Sequence, residues 1–274
     1  MANTLSVVVA GSFDDFRSPH VRLLEEASKL GELHVLVWPD EAVRVFDGHP
    51  PKFPQAERLY LLRSNRYVKQ ASLVTGLEDA NPGASGIKPD IWVVEEESDS
   101  PQRQAYCNMH GIQCHVLKKS DLSGFPVSPL DLESEQSARK RVIVTGCFDW
   151  FHSGHVRFFE EVSGLGDLYV VVGHDANIRL LKGEGHPMFS QDERRYMVQS
   201  ARFVHQALIS SGHGWMDAEP EIALIKPHIY AVNEDGDVPE KRAFCREHGI
   251  EYVVLKRIPK AGLPKRQSTT LRGF

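Results

Sequence analysis

The chain has 274 residues and a formal net charge of −5, with 41% hydrophobic and 25% charged residues. That composition is ordinary for a soluble globular protein, and its acidic balance argues against a general polyanion-binding or nucleic-acid-binding surface. Any phosphate binding must rest on local basic residues. No apolar run is long enough to cross a bilayer, and the N-terminal residues lack the charged and apolar blocks of a signal peptide, so a cytoplasmic protein with no membrane span is expected. Cys107, Cys114, Cys147 and Cys245 form no C-x-x-C pair, which predicts reduced thiols and no bound metal among them.

In chain order, apolar runs at 7–10 and 33–38 predict buried strands, and a segment at 121–140 rich in Ser, Pro and mixed charge predicts a linker. After it, runs at 142–145 and 168–172 predict strands, with a helix between them whose apolar face is Val156, Phe158, Phe159 and Val162. A helix over 191–201, a strand over 206–209, a short helix ending near 225 and a strand over 229–232 follow. A helix over 239–248 opening on Pro239 and a strand over 252–255 complete the pattern. Strand–helix alternation implies an α/β fold with mostly parallel sheets and helices on both faces.

The sequence repeats. GCFDWFHSGHVR, 146–157, matches GSFDDFRSPHVR, 11–22, at eight of twelve positions with an offset of 135. Later pairs, Glu57-Arg58 with Glu193-Arg194 and Cys107 with Cys245, drift to offsets of 136 and 138. A period this long predicts two tandem Rossmann-like domains, 1–120 and 141–274, joined by 121–140. The second copy carries two histidines, His152 and His155, around Ser153 and Gly154, on a strand-to-helix loop. Such a loop aims both imidazoles and a helix N-terminus at one anion. In the first copy Arg17 and Pro19 replace His152 and Gly154. Asp47 stands in place of Lys182, and no Ser-Thr-Thr occurs near Leu130, the counterpart of Ser268. The first copy is therefore expected to fold without catalysing.

These residues carry a resemblance. G-x-F-D-x-F-H-S-G-H after a first strand resembles the HxGH nucleotidyltransferase superfamily, and most of all its cytidylyltransferases. Lys182 in Leu-Leu-Lys-Gly resembles the family's phosphate-binding lysine. Glu193-Arg194 with Arg202-Phe203-Val204 resembles its E-R … R-Y-V helix, and 268–271 its C-terminal I-S-T-T motif. The tandem layout is similar to that of ethanolamine-phosphate cytidylyltransferase, with the intact site in the second copy rather than the first. Arg266, two residues before Ser268, lies closer to the motif than the family's arginine does.

The resemblance implies transfer of CMP from CTP to a phosphorylated small alcohol or polyol, giving a CDP-linked product and pyrophosphate. His152, His155 and Lys182 would be catalytic. Gly146, Cys147, Phe148, Gly154, Arg194, Arg202, Ser268, Thr269 and Thr270 would bind nucleotide, with Asp149 as a supporting anchor. Mg2+ is expected with the triphosphate, and the two copies are expected to pack as an intrachain pseudo-dimer, with room for further homo-oligomerisation. Arg195 is expected to face solvent in an ion pair. The alternatives are an adenylyltransferase on the same scaffold, because H-x-G-H does not read the base, and a non-catalytic nucleotide-binding module. No P-loop and no G-x-G-x-x-G after a strand is found, which removes the P-loop kinases and dinucleotide dehydrogenases.

Overall fold

A computed structural model describes residues 4–74, 87–129 and 138–271. The position matching Ser268 in the first copy, Leu130, and much of the expected linker lie outside them. The chain divides into two compact units, Met1–Gly124 and Phe125–Phe274. Phe125 lies with the second unit: its ring meets Tyr196 at 5.8 Å, and Arg195 donates to the carbonyls of Phe125 and Pro126 at 3.2 and 3.0 Å.

Each unit is one five-stranded parallel sheet. In the first, β1 (Ser6–Gly11), β2 (Glu32–Val37), β3 (Gln70–Leu73), β4 (Ile91–Glu95) and β5 (Gln113–Leu117) lie in the order β3-β2-β1-β4-β5. In the second, β6 (Arg141–Gly146), β7 (Asp167–Val172), β8 (Val204–Ile209), β9 (Ile229–Asn233) and β10 (Glu251–Leu255) lie in the order β10-β9-β6-β7-β8. The helices of the first unit are α1 (Ser18–Ser28), α2 (Asp40–Asp47), α3 (Gln55–Arg63) and α4 (Pro101–His110). Those of the second are α5 (Ser153–Ser163), α6 (Asp175–Lys182), α7 (Gln191–Gln199), α8 (Glu219–Ile225), α9 (Pro239–Glu247) and the short α10 (Ser268–Leu271).

Strand burial follows from the parallel pairing. β6 and β7 are buried on both faces, so they read as unbroken apolar runs. Their side chains alternate, and one face carries Ile143, Tyr169 and Val171 into a cluster with Ile222 and Ile225 of α8 and Cys245 of α9. The paired positions Cys107 and Cys245 are both 1% exposed, in keeping with a packing role. The tightest approach is at Gly166, where a Cβ would stand 2.0 Å from the Lys140 carbonyl; Gly31 does the same in the first unit, at 2.2 Å from the Leu5 carbonyl. Those glycines let α5 and α1 turn directly into the next strand.

The segment between β7 and α7, to which the sequence reading assigns no element, holds the helix 175–182, capped by the His174 side chain accepting from the Asn177 N–H. It buries Asn177 and Ile178 while leaving Leu180 and Leu181 exposed, so its apolar stripe is too narrow to be periodic.

Candidate active site

In both sheets the strand order reverses beside the first strand, so the crevice beyond the ends of β6 and β9 is the natural ligand position. The loop leaving β6 opens it with an unusual turn. Phe148 sits in the left-handed region at φ 52°, which folds its ring back over Gly146. A Cβ at 146 would meet that ring at 2.8 Å, so glycine is required there. Phe148 then meets His155 edge-on at 5.2 Å and Phe159 at 5.4 Å. The turn costs roughly 1–2 kcal/mol, offset by this packing.

Asp149 is buried and acts as the anchor: one carboxylate oxygen accepts from the N–H groups of Met188 and Phe189, at 2.7 and 3.1 Å. This ties the β6 loop to the segment before α7. Asp14 holds the corresponding N–H groups of Lys52 and Phe53 in the first unit, one on each carboxylate oxygen.

The two histidines lie together at the start of α5, with rings stacked 3.9 Å apart at 18°. His152 is 1% exposed and accepts the Gly154 N–H on Nδ1 at 3.0 Å, which leaves its proton on Nε2. That Nε2 is buried and has no protein partner among the described residues, as is Nδ1 of His155. Burial holds the His152 imidazole down to about 3, helped by the nearby charges of Arg257 and Arg266. Burial, His152, Arg257 and Lys182 hold His155 well below the usual range. Both rings are neutral N–H donors at neutral pH. Gly154 is needed for a reason the sequence did not reveal. A Cβ there would strike the His152 ring at 2.9 Å, and its N–H serves that ring rather than an outside anion.

Gly146, Cys147, Phe148, Asp149, His155, Lys182 and Ser268 line one open cleft of about 390 Å³. Asp235, Arg257 and Gln267 complete its wall. The Ser268 hydroxyl donates to the Trp150 carbonyl at 3.2 Å, fixing α10 against the histidine loop. Thr270 is exposed and its hydroxyl returns to the Gln267 carbonyl at 2.9 Å. Thr269 lies in α10, beside Ser268. Burial pushes the Cys147 thiol up despite Lys182 and Arg194 nearby, so it is no nucleophile at neutral pH.

Three arginines depart from expectation. Arg194 is 1% exposed and every guanidinium nitrogen is engaged: with the carbonyls of Phe189, Cys147 and Gly173 at 2.9, 2.6 and 2.7 Å, and with Asp175 at 2.7 Å. It staples three loops: four of its five N–H donors are spent on protein acceptors, and its burial keeps it out of the cleft wall. Its counterpart Arg58 donates to Phe53, Ser12 and Asp40 in the copy that lacks the histidine pair, which marks the arrangement as scaffold. Arg195 is 4% exposed, not surface-facing. Arg202 is exposed and is not part of the cleft wall.

Sequence reading missed Arg257, which leaves the end of β10, pairs with Asp235 and donates to the Arg266 carbonyl at 3.0 Å. No short motif announces it, because β10 lies far from α5 in sequence. Its only signal is the basic pair Lys256-Arg257 after a strand whose C-terminal end points at the ligand crevice. Among the described residues no group of three His, Cys, Asp or Glu side chains could hold a metal ion, and no helix is long and apolar enough to cross a membrane.

A family model described as cytidylyltransferase-like matches residues 8–116 and again 143–271. Among curated relatives, the bifunctional protein HldE of Pelobacter propionicus is 35% identical over 44% of this chain and 25% of its own length. The FAD synthase of Aciduliprofundum boonei is 38% identical over 44% of this chain and 80% of its own. The HldE of Campylobacter curvus is 26% identical over 75% of this chain and 41% of its own. The chain thus spans from a quarter to four fifths of the length of these relatives. A solved structure, the lipopolysaccharide core biosynthesis protein from Thermoplasma volcanium, aligns at 27% identity and a TM-score of 0.37 over 47% of this chain and 98% of that one. With its family matched on both halves, the chain is a member of the cytidylyltransferase-like family of nucleotidyltransferases.

Proposed function

We propose that the second unit transfers a nucleotidyl group from a nucleoside triphosphate, CTP in our reading, to the phosphate of a small alcohol or polyol. The observation that carries this is the cleft that gathers His155, Lys182, Arg257 and Ser268 at the end of β6, with His152 stacked on His155. An oxygen of the acceptor phosphate attacks the α-phosphorus, the bond from that phosphorus to the bridging oxygen breaks, and pyrophosphate leaves with the bonding electrons. No enzyme nucleophile is required, so catalysis consists of positioning and of stabilising charge.

The neutral imidazoles suit this role. His155 lines the cleft and would present an N–H to phosphate oxygens where charge accumulates, and the unpartnered N–H of buried His152, stacked on it, would reach them once the substrate is seated. Arrival of the polyanion would raise their proton affinity and strengthen the interaction as negative charge builds. Lys182, at the last turn of α6, and Arg257 balance the triphosphate. Mg2+, arriving with the triphosphate, would supply further positive charge against it. The protein's task is then to hold the α-phosphate against His155.

The alternative base has a specific support. Relatives named FAD synthase, by that name, make an adenine dinucleotide, which favours adenylyl transfer. Pyrophosphate release measured with CTP and with ATP, against a panel of alcohol phosphates, tests both. Release with CTP and one alcohol phosphate supports the first reading, release only with ATP supports the second, and no release with either overturns both.

A further inference from the structure

The first unit has lost its phosphate-binding groups but not its cavity. A 220 Å³ space remains at the corresponding crevice, walled by Phe13, His20, Trp38, Trp92, Glu95 and Arg103. We infer that this cavity is a second, non-catalytic site for a nucleobase or nucleoside that carries no polyphosphate.

The walls differ from those of the second unit in one direction. Trp38 stands at the position of Gly173, as the matching hydrogen bonds to Gly11 and Gly146 show. Trp92 stands at Tyr230, Glu95 at Asn233 and Arg103 at Lys241. The first copy has thus gained two indoles and a carboxylate where the second has a glycine, a phenol and an amide. At Gly173 a Cβ would already strike Ile178 at 2.7 Å, so a tryptophan fits only the first copy, where Val43 replaces that isoleucine.

Both indoles are held in place. Trp92 is 2% exposed, meets Tyr106 edge-on at 5.9 Å and lies under Arg103 at 5.0 Å. Trp38 packs on Phe46 at 5.0 Å. The Trp38 indole N–H is buried with no acceptor among the described residues, an arrangement that costs stability unless a ligand supplies one. Glu95 offers the complementary acceptor for an exocyclic amine or ring N–H, and burial together with Glu97 draws its carboxyl upward. His20 accepts the Arg17 N–H at 3.1 Å and is neutral, its imidazole lowered by burial to about 4. A planar heterocycle with an acceptor edge and a donor edge satisfies this set, and it stacks well on aromatic faces.

Size and charge exclude the triphosphate. The cavity falls below the roughly 300–1,000 Å³ typical of drug-sized ligands, which suits a base or small nucleoside. Arg17 is already paired with Asp15 at 2.9 Å, and Asp47 replaces the lysine that would meet phosphates. This inference is independent of the chemistry proposed for the second unit.

The test uses the full-length protein labelled with 5-fluorotryptophan, whose four tryptophans give four assignable 19F signals. Adenosine and cytidine are titrated, then ATP and CTP. The Trp38 and Trp92 signals should shift saturably with at least one nucleoside, and more weakly with its triphosphate. Trp38→Phe keeps a ring but removes the N–H, and Glu95→Gln removes the charge. Each should weaken binding by roughly fivefold to tenfold, with the Trp150 and Trp215 signals reporting an intact second unit and Trp92 an intact first. Silence of both cavity signals to about 10 mM nucleoside, a stronger response to triphosphate, or unchanged binding in both variants would overturn the inference.

Discussion

His152 has two jobs that the alanine variant confounds. Its Nδ1 caps α5 by accepting the Gly154 N–H, while its Nε2 faces away from any protein partner among the described residues. His152→Ala should therefore lose about 10²–10³-fold in kcat, and also about 1 kcal/mol of stability through the lost cap. His152→Asn keeps a cap acceptor and should restore the stability without the rate. Thermal melts beside pyrophosphate-release kinetics separate the two, and recovery of rate by asparagine would mean that the cap, not the donor, matters. Arg194 was read from sequence as a nucleotide ligand because an arginine in a family-like helix looks the same whether it faces a cleft or a backbone. Its four acceptors settle the difference. Arg194→Ala should cost about 3–5 kcal/mol, as loss of a buried charged partner does, and Arg58→Ala should cost a similar amount. Lys182→Ala, exposed at the cleft, should leave the melting temperature nearly unchanged and raise KM for the triphosphate. A wild-type melting temperature for Arg194→Ala would contradict the scaffold role.

At the scale of elements, the strands of the second unit and four of its six helices were legible, with two strands of the first unit, because parallel strands buried on both faces must be continuous apolar runs. The histidine loop was legible because its spacing encodes a local turn. What stayed hidden was assembled by topology: α6, with only Asn177 and Ile178 buried, and Arg257, brought beside α5 from the far end of β10. The α1 and α5 N-termini also predict a pH response. His20, His152 and His155 all bind protons less readily in the fold than in the unfolded chain, whose histidines titrate near 6.5. Below that value the unfolded state holds more protons, so stability is full above about pH 7 and falls as pH drops toward 4. The slope is at most about 1.4 kcal/mol per pH unit for each histidine. Denaturant midpoints from pH 7.5 to 5 check this, and His20→Asn should flatten the profile by one histidine's share. A midpoint independent of pH over that range would show that these rings are not buried neutral.

For the whole molecule, the two units share a scaffold and differ in chemistry. The Asp14 and Asp149 anchors, the Arg58 and Arg194 staples, and the left-handed Phe13 and Phe148 recur in both. The histidine pair does not. Arg17→His with Pro19→Gly should therefore give no second turnover site, since Asp47 still stands where a lysine is needed. Turnover from that double variant in a chain whose second unit carries His155→Ala would refute this. The central claim, that the 390 Å³ cleft of the second unit transfers nucleotidyl groups directly, is tested most directly by the stereochemistry of one turnover. A nucleoside triphosphate made chiral at the α-phosphorus with sulfur is converted with the accepted alcohol phosphate, and the product is read by 31P NMR. A single in-line displacement predicts inversion at phosphorus, with the signal lost in His155→Ala. Retention would demand a covalent enzyme intermediate and contradict the account.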